Sequence, residues 1–323
     1  MRLPSLLLES QFFLFSSFDE LSAALGDSVD SDEIDEVARL SFLGLPPISS
    51  RDVLATMLGI NPGLIWSFEY RPAKHYRVFS IPKGRRKERV IVAPRIAIKV
   101  VQKWLSVQLQ RRYAPPMHVF GFIPGRSHIN AAQQHRLARW TYSVDIKNFF
   151  SSTPIDTVTE AFLTVGYGHQ ASEMLARLCC YHGFLAQGAP SSPILSNLAF
   201  QEVDNRLITI SEKFDIRMSR YADDIVFSGT HGIPDGLPEQ VNDLFVGTPW
   251  TLSPEKTEFN ELPRRLKVHG LLVHGDQVRL TKGYRNKLRA YAHLMKNGQI
   301  REDDSQRVSG HLRYAQQVAN AED

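Results

Sequence analysis

The chain has 323 residues, with 38 Lys+Arg against 34 Asp+Glu, a net charge of +4 and a pI near 9.0. That length exceeds one minimal domain and suits a multi-lobed soluble enzyme with an ample core. Its two cysteines, adjacent at Cys179 and Cys180, argue against a disulfide framework and a structural zinc site and for a reducing compartment. No run approaches the roughly 20 apolar residues of a membrane span. Glu9 interrupts the apolar start Leu6-Leu7-Leu8 before a secretory signal develops. A cytoplasmic protein without membrane contact is the expectation.

In chain order, Asp32 to Leu45 and Ser50 to Leu58 carry apolar residues at helical spacing, with Ser50 as an N-cap, so residues 1–70 read as a helical N-terminal region. Tyr76 to Ile81 and Glu88 to Val92 alternate like strands around the basic turn Lys83 to Lys87, which predicts a basic-tipped hairpin. Ile98 to Leu109 predicts a helix, Thr141 to Ile146 a buried strand, and Thr157 to Val165 and Ala171 to Tyr181 two further helices. The breaker segment Gly188 to Pro193 leads into one helix from Leu195 to Ser211. An acidic hairpin then spans Arg217 to Ser228, followed by a Gly/Pro-rich loop and a short helix. Two short strands lie within Lys267 to Leu280, and basic-leaning helices cover Lys282 to Met295 and Ser305 to Asn320.

The acidic hairpin carries the sharpest chemical signal. Asp223 and Asp224 are adjacent ionised carboxylates flanked by Met218, Tyr221, Ile225, Val226 and Phe227, so a strand-turn-strand fold confines their repulsion to one tip. A divalent cation offsets such repulsion; taken alone, the pair reads as readily as a turn whose side chains cap backbone amides. Asp145, at the end of the apolar strand Tyr142-Ser143-Val144, supplies a third carboxylate. Three carboxylates suit two divalent ions, which can activate a 3'- or 2'-hydroxyl and stabilise a departing pyrophosphate.

These residues fall into boxes that resemble a known family. Tyr221-Ala222-Asp223-Asp224 resembles the YxDD box of reverse transcriptases, and Val144-Asp145-Ile146-Lys147-Asn148-Phe149-Phe150 their first palm motif. Gln187-Gly188-Ala189-Pro190-Ser191-Ser192-Pro193, with Asn197 beyond, resembles the second palm motif of the bacterial enzymes. Leu252 to Thr257 resembles the lysine-bearing motif downstream. Within that superfamily the chain resembles retron reverse transcriptases. Their Val-Thr-Gly hallmark stands here as Val268-His269-Gly270, and their Asn-Ala-x-x-His box as Ala131-Ala132-Gln133-Gln134-His135, with Asn130 one position earlier. Both boxes depart from the pattern by one residue, and both are distinguishing boxes of the subfamily.

The resemblance implies an α+β right-hand polymerase fold, with fingers and palm over 71–262 and a helical thumb over 263–323, following the helical region 1–70 that lies outside it. It implies Asp145, Asp223 and Asp224 as catalytic metal ligands, the Ile146 carbonyl beside them, and Lys256 as the group that protonates or neutralises pyrophosphate. Phe150 matches the bulky residue under the incoming sugar, which selects against a 2'-hydroxyl. Gln187, Gly188 and Tyr221 would meet template and nucleotide, and Lys83 and Arg89 on the basic hairpin would meet triphosphate. His135, His269, Arg285 and Arg289 are RNA-binding candidates, the last two on a helix whose basic stripe would track a duplex.

The cofactor expected is a pair of Mg2+ ions, with Mn2+ as a substitute. The partners expected are dNTPs, a cognate noncoding RNA of msr-msd type with its DNA product, a separate toxic effector chain in anti-phage defence, and a higher-order assembly of these. Abortive-infection and group II intron-like reverse transcriptases, and a non-catalytic RNA-binding scaffold, are the competing readings.

Overall fold

A computed structural model describes residues 4–83 and 87–321, with the side chains of residues 83, 87 and a few terminal positions outside the description. Its helices are α1 (Ser5–Glu9), α2 (Phe18–Leu25), α3 (Ser31–Phe42), α4 (Arg51–Leu58), α5 (Pro62–Tyr70), α6 (Ile96–Arg112) and α7 (His128–Gln133). They continue with α8 (Ile155–Val165), α9 (His169–Cys179), α10 (Ser192–Ala199), α11 (Gln201–Lys213), α12 (Leu237–Phe245), α13 (Lys282–Lys296) and α14 (Glu302–Ala319). The strands are β1 (Tyr76–Lys83), β2 (Lys87–Pro94), β3 (Trp140–Asp145), β4 (Cys180–Tyr181), β5 (Phe184–Leu185) and β6 (Arg217–Tyr221). After them come β7 (Asp224–Gly229), β8 (Glu258–Glu261), β9 (Lys267–Val268), β10 (Leu271–Leu272) and β11 (Arg279–Leu280). The chain forms two compact units, one from residues 1–114 and 148–202, the other from 115–147 and 203–323.

The first unit is built around α6. The apolar stripe of this 17-residue helix buries Ile98, Val101, Trp104, Leu105 and Leu109, and one core joins it to α2–α5 and α8–α10. The N-terminal segment is tied to the same helix. Trp104 Nε1 donates to the Ser10 carbonyl at 2.7 Å and Gln108 Nε2 to the Leu8 carbonyl at 2.7 Å. Buried donors need partners, so these bonds fix where the chain starts its path. Ser50 caps α4 by accepting from the Val53 amide, as its sequence position predicts. The β1–β2 hairpin forms in the register Tyr76↔Pro94 to Lys83↔Lys87, and residues 84–86 of the basic turn expected between its strands lie outside the described residues.

The second unit holds a four-stranded antiparallel sheet in the order β6-β7-β3-β8. Its central strands β3 and β7 are almost wholly buried, polar Thr141 and Ser228 included. A second core gathers Ile129 and Ala132 of α7, Val226 of β7, Val268, Leu271 and Val318, so that α7, the three-stranded β9–β11 sheet and α14 pack together.

Three sequence expectations are corrected. The helix read over Leu195 to Ser211 is two helices, α10 and α11, broken at the fully buried Phe200. The two strands read in Lys267 to Leu280 are three. The helix read to Tyr181 ends at Cys179, where the chain turns into the short β4–β5 hairpin.

Candidate active site

The register of the sheet creates the site. β3 and β7 pair so that Asp145 stands directly opposite Asp224, and β6 and β7 pair so that Tyr221 also faces Asp224 across the hairpin. Ala222 takes φ +58° to close the turn, placing Asp223 at its tip. Like charges directly opposite one another on a sheet repel, so the fold places three carboxylates where a cation or proton must compensate.

The protein supplies part of that compensation. Lys256 Nζ bonds to Asp145 Oδ1, and Ser253 Oγ donates to the same oxygen at 3.3 Å. The segment bearing Lys256 is fastened alongside β3 by the Ser253 amide donating to the Asp145 carbonyl at 2.8 Å and the Lys147 amide donating to the Thr251 carbonyl at 2.9 Å. Burial raises the Asp145 carboxyl above its ordinary range against the pull of Lys256, and Asp223 and Asp224 push it further up. Burial would also raise Asp224, but His269, with Nδ1 3.7 Å from Oδ2, together with Asp145 and Lys256 outweighs it and holds this carboxyl low.

These donors fit a hard divalent cation. Three carboxylates provide the oxygens that Mg2+ prefers. The Ile146 amide donates to the Asp223 carbonyl at 2.9 Å, and in extended chain the carbonyl of the same residue points to the same side. Among the described residues, no three or more His, Cys, Asp and Glu side chains gather closely enough to hold a metal ion by themselves. An open site that completes its coordination with substrate phosphates and water is the usual Mg2+ arrangement.

The other predicted residues fall in several places. Phe150 belongs to the first unit, half-buried against its core with its ring 5.9 Å from Phe149. Gln187 and Gly188 form a seam with β2: the Gln187 carbonyl accepts from the Val92 amide at 2.9 Å. Gly188, at φ +132°, lies where a β-carbon would come within 3.0 Å of Ile91 Cγ2. The close approach that this glycine permits is therefore to β2. Arg89 is exposed on β2, whereas the Lys83 side chain and residues 84–86 lie outside the described residues. Arg285 and Arg289 are exposed on α13, a helix with Lys282, Lys287 and Lys296 and no Asp or Glu.

Two RNA-binding candidates are corrected. His135 is fully buried, its Nδ1 and Nε2 each 2.7 Å from the hydroxyls of Ser228 and Ser219, so it bridges β7 and β6 and has no surface for RNA. The His269 side chain is 6% exposed and packs on Asp224 and on the Tyr221 ring, 5.3 Å away. It belongs to the carboxylate site.

Burial, with small contributions from His269 and Arg217, lowers His135 to about 3. A base depressed in the folded state contributes stability in full above its unfolded value of about 6.5 and loses it as pH falls from there toward about 3. Denaturant unfolding between pH 8 and pH 4.5 is expected to show an acid limb of up to about 1.4 kcal/mol per pH unit from this group. His135→Gln should flatten that limb.

The sequence reading missed Ser253 and the fully buried Arg220–Asp204 pair, in which Arg220 Nε lies 2.7 Å from Asp204 Oδ1. The available signal was a charge inside each apolar pattern, Arg220 in β6 and Asp204 on the buried side of α11, since unpaired charges do not stay buried.

An antiparallel sheet that brings a strand-end aspartate against an Asp-Asp turn, with a lysine latched to the first carboxylate, has the architecture of a polymerase palm. Residues 81–274 match the family model described as reverse transcriptase (RNA-dependent DNA polymerase), and the chain belongs to that family.

Among curated proteins it is similar to the retron Mx65 reverse transcriptase of Myxococcus xanthus, 30% identical over 220 residues, covering 61% of this chain and 52% of that protein. It is also similar to the retron Ec86 reverse transcriptase of Escherichia coli, 26% identical over 260 residues, covering 79% and 81%. A solved foamy viral protease-reverse transcriptase in complex with double-stranded DNA matches with a TM-score of 0.44 and 16% identity, over 75% of this chain and 36% of that one. No described helix is long and apolar enough to cross a membrane.

Proposed function

We propose that the chain is the RNA-directed DNA polymerase of a retron, which binds its cognate structured RNA and extends DNA from a 2'-hydroxyl of that RNA to give RNA-linked single-stranded DNA. The observation that carries this reading is the register placing Asp145 opposite Asp224 beside the Asp223 turn, with Lys256 bonded to Asp145.

Asp145, Asp223, Asp224 and the Ile146 carbonyl would hold two Mg2+ ions, which when bound supply Lewis-acid activation of the hydroxyl and charge neutralisation at the pyrophosphate. Lys256 Nζ holds a proton next to Asp145, where it can be given to the leaving group. Phe150 restricts space at the sugar and so favours deoxynucleotides. Arg89, and Lys83 with it, offer donors to the triphosphate. In this reading residues 71–262 are fingers and palm and 263–323 the thumb, whose helix α13 follows the duplex backbone. Retron kinship also supports a cytoplasmic role in anti-phage defence with a separate effector chain.

Expression with the genomic neighbourhood, purification, and treatment of the bound nucleic acid with ribonuclease and debranching enzyme test the reading. Branched, RNA-linked DNA of defined length is the expected product. RNA without DNA would indicate a scaffold, and unlinked DNA an abortive-infection type of enzyme.

Electrostatic tracking by α13 has its own signature. RNA affinity should fall linearly in log–log terms with salt, and Arg285→Ala should weaken binding of all sequences alike and reduce the salt slope by about 1. A filter-binding series across salt concentrations checks this.

A further inference from the structure

The turn that carries Asp223 is gripped from behind by residues that belong to neither the metal ligands nor the substrate contacts. Ala222 stands at φ +58°, a left-handed conformation that a residue with a β-carbon enters at a cost and keeps only where its surroundings dictate it. Three contacts of the second unit do so. Gly121 crosses the turn so closely that a β-carbon there would lie 2.1 Å from the Ala222 nitrogen and 2.9 Å from the Tyr221 carbonyl carbon. The backbone of residues 118–120 runs parallel to β6 at Arg220: the Arg220 amide donates to the His118 carbonyl and the Phe120 amide to the Arg220 carbonyl, both at 2.8 Å. Finally, the buried Arg220 guanidinium, held by Asp204, donates through Nη1 to the Ala222 carbonyl at 3.0 Å. The crossing segment is itself anchored, because the Arg126 guanidinium donates to the carbonyls of Pro115 at 3.1 Å, Val119 at 2.5 Å and Pro116.

We infer that Gly121, Arg220 and Asp204 form a seat that fixes the Ala222 turn, and through it sets Asp223 and Asp224 in the position from which they take up divalent metal. They are positioning residues, and their assignment rests on the polymerase reading of the carboxylate site. The seat explains why a charged pair lies under a catalytic turn where apolar residues would fill the space: only a guanidinium reaches both the Asp204 carboxylate and the Ala222 carbonyl. It also explains why residue 121 is glycine although its φ does not require one, since the constraint is the backbone that crosses it.

The test uses the full chain with Gly121→Ala and, separately, the double variant Arg220→Met with Asp204→Leu, which removes the bond to Ala222 without leaving an orphan buried charge. Five quantities are measured: Mn2+ affinity by paramagnetic titration, amide exchange of the Tyr221–Ile225 segment, thermal melting, RNA affinity, and single-nucleotide extension on an RNA template. Both variants are expected to melt cooperatively and to bind RNA within about threefold of the parent. They should exchange faster at Tyr221–Ile225, bind Mn2+ at least tenfold more weakly, and lose about 10²-fold in kcat with little change in KM for dNTP.

Unchanged Mn2+ affinity and unchanged exchange in both variants would overturn the seat. So would loss of RNA affinity and cooperative melting together with activity, because that outcome marks a general packing role. A parent chain that binds Mn2+ but extends no primer overturns the polymerase reading, and Mn2+ affinity and exchange still decide the seat.

Discussion

Replacing Asp223 and Asp224 by asparagine is expected to abolish DNA synthesis, by at least about 10³-fold or ~4 kcal/mol in the barrier, while the chain folds and keeps its RNA. Asparagine preserves the shape of each side chain and removes the charge that holds the metal. Because Asp224 faces Asp145 across the sheet, neutralising it relieves a like-charge pair but also gives up the His269 and Lys256 interactions that hold this carboxyl low, so metal-free Tm should stay within a few degrees of the parent. Extension assays beside RNA binding and thermal unfolding separate these effects. DNA synthesis that survives the double substitution would refute the site. A fall in Tm as large as the fall in activity would instead make the carboxylates structural.

The largest expected effect on stability lies at Asp204→Ala. Asp204 and Arg220 are both 0% exposed, and Arg220 bonds to the carboxylate through Nε and Nη2. Truncating the acid leaves a guanidinium buried without its counter-charge, which costs about 3–5 kcal/mol and should lower Tm by about 10 °C. Adding Arg220→Met to an Asp204→Leu chain should recover most of that loss, since removing both charges removes the desolvation that their pairing offsets. Denaturant unfolding of the single and double variants checks this. A single variant as stable as the parent would show that the pair is solvated in solution.

Much of the site was legible in the chain because its parts are local. A β-hairpin is specified by nearby residues, so Asp223-Asp224 between two apolar runs already predicted a carboxylate tip, and β6 and β7 form there. Asp145 was legible as a strand end. The distances between them were not. Whether β3 pairs with β7 or with another strand, and in which register, is decided by pairing across about 80 residues, and a slip of one position would turn Asp145 to the other face. β8 escaped notice for the same reason, since its four residues carry little periodic signal and gain their order from pairing with β3.

Histidines show the limit from the other side. His135 and His269 sit in boxes that distinguish a subfamily, and sequence offers no way to tell a histidine exposed to RNA from one enclosed between strands. The fold encloses His135 between two serine hydroxyls and turns His269 onto Asp224. Nor does sequence show that Gly188 lies where a β-carbon would press on β2.

By itself, then, the sequence determined the elements, the carboxylate residues and the family boxes, because helix stripes, strand alternation and turn chemistry are short-range properties of the chain. Tertiary structure alone decided which carboxylates face one another, that Lys256 is latched to Asp145, and that Gly121, Arg220 and Asp204 converge beneath Ala222. Those contacts join segments tens of residues apart, and their geometry comes from strand register and close packing, which no local pattern encodes.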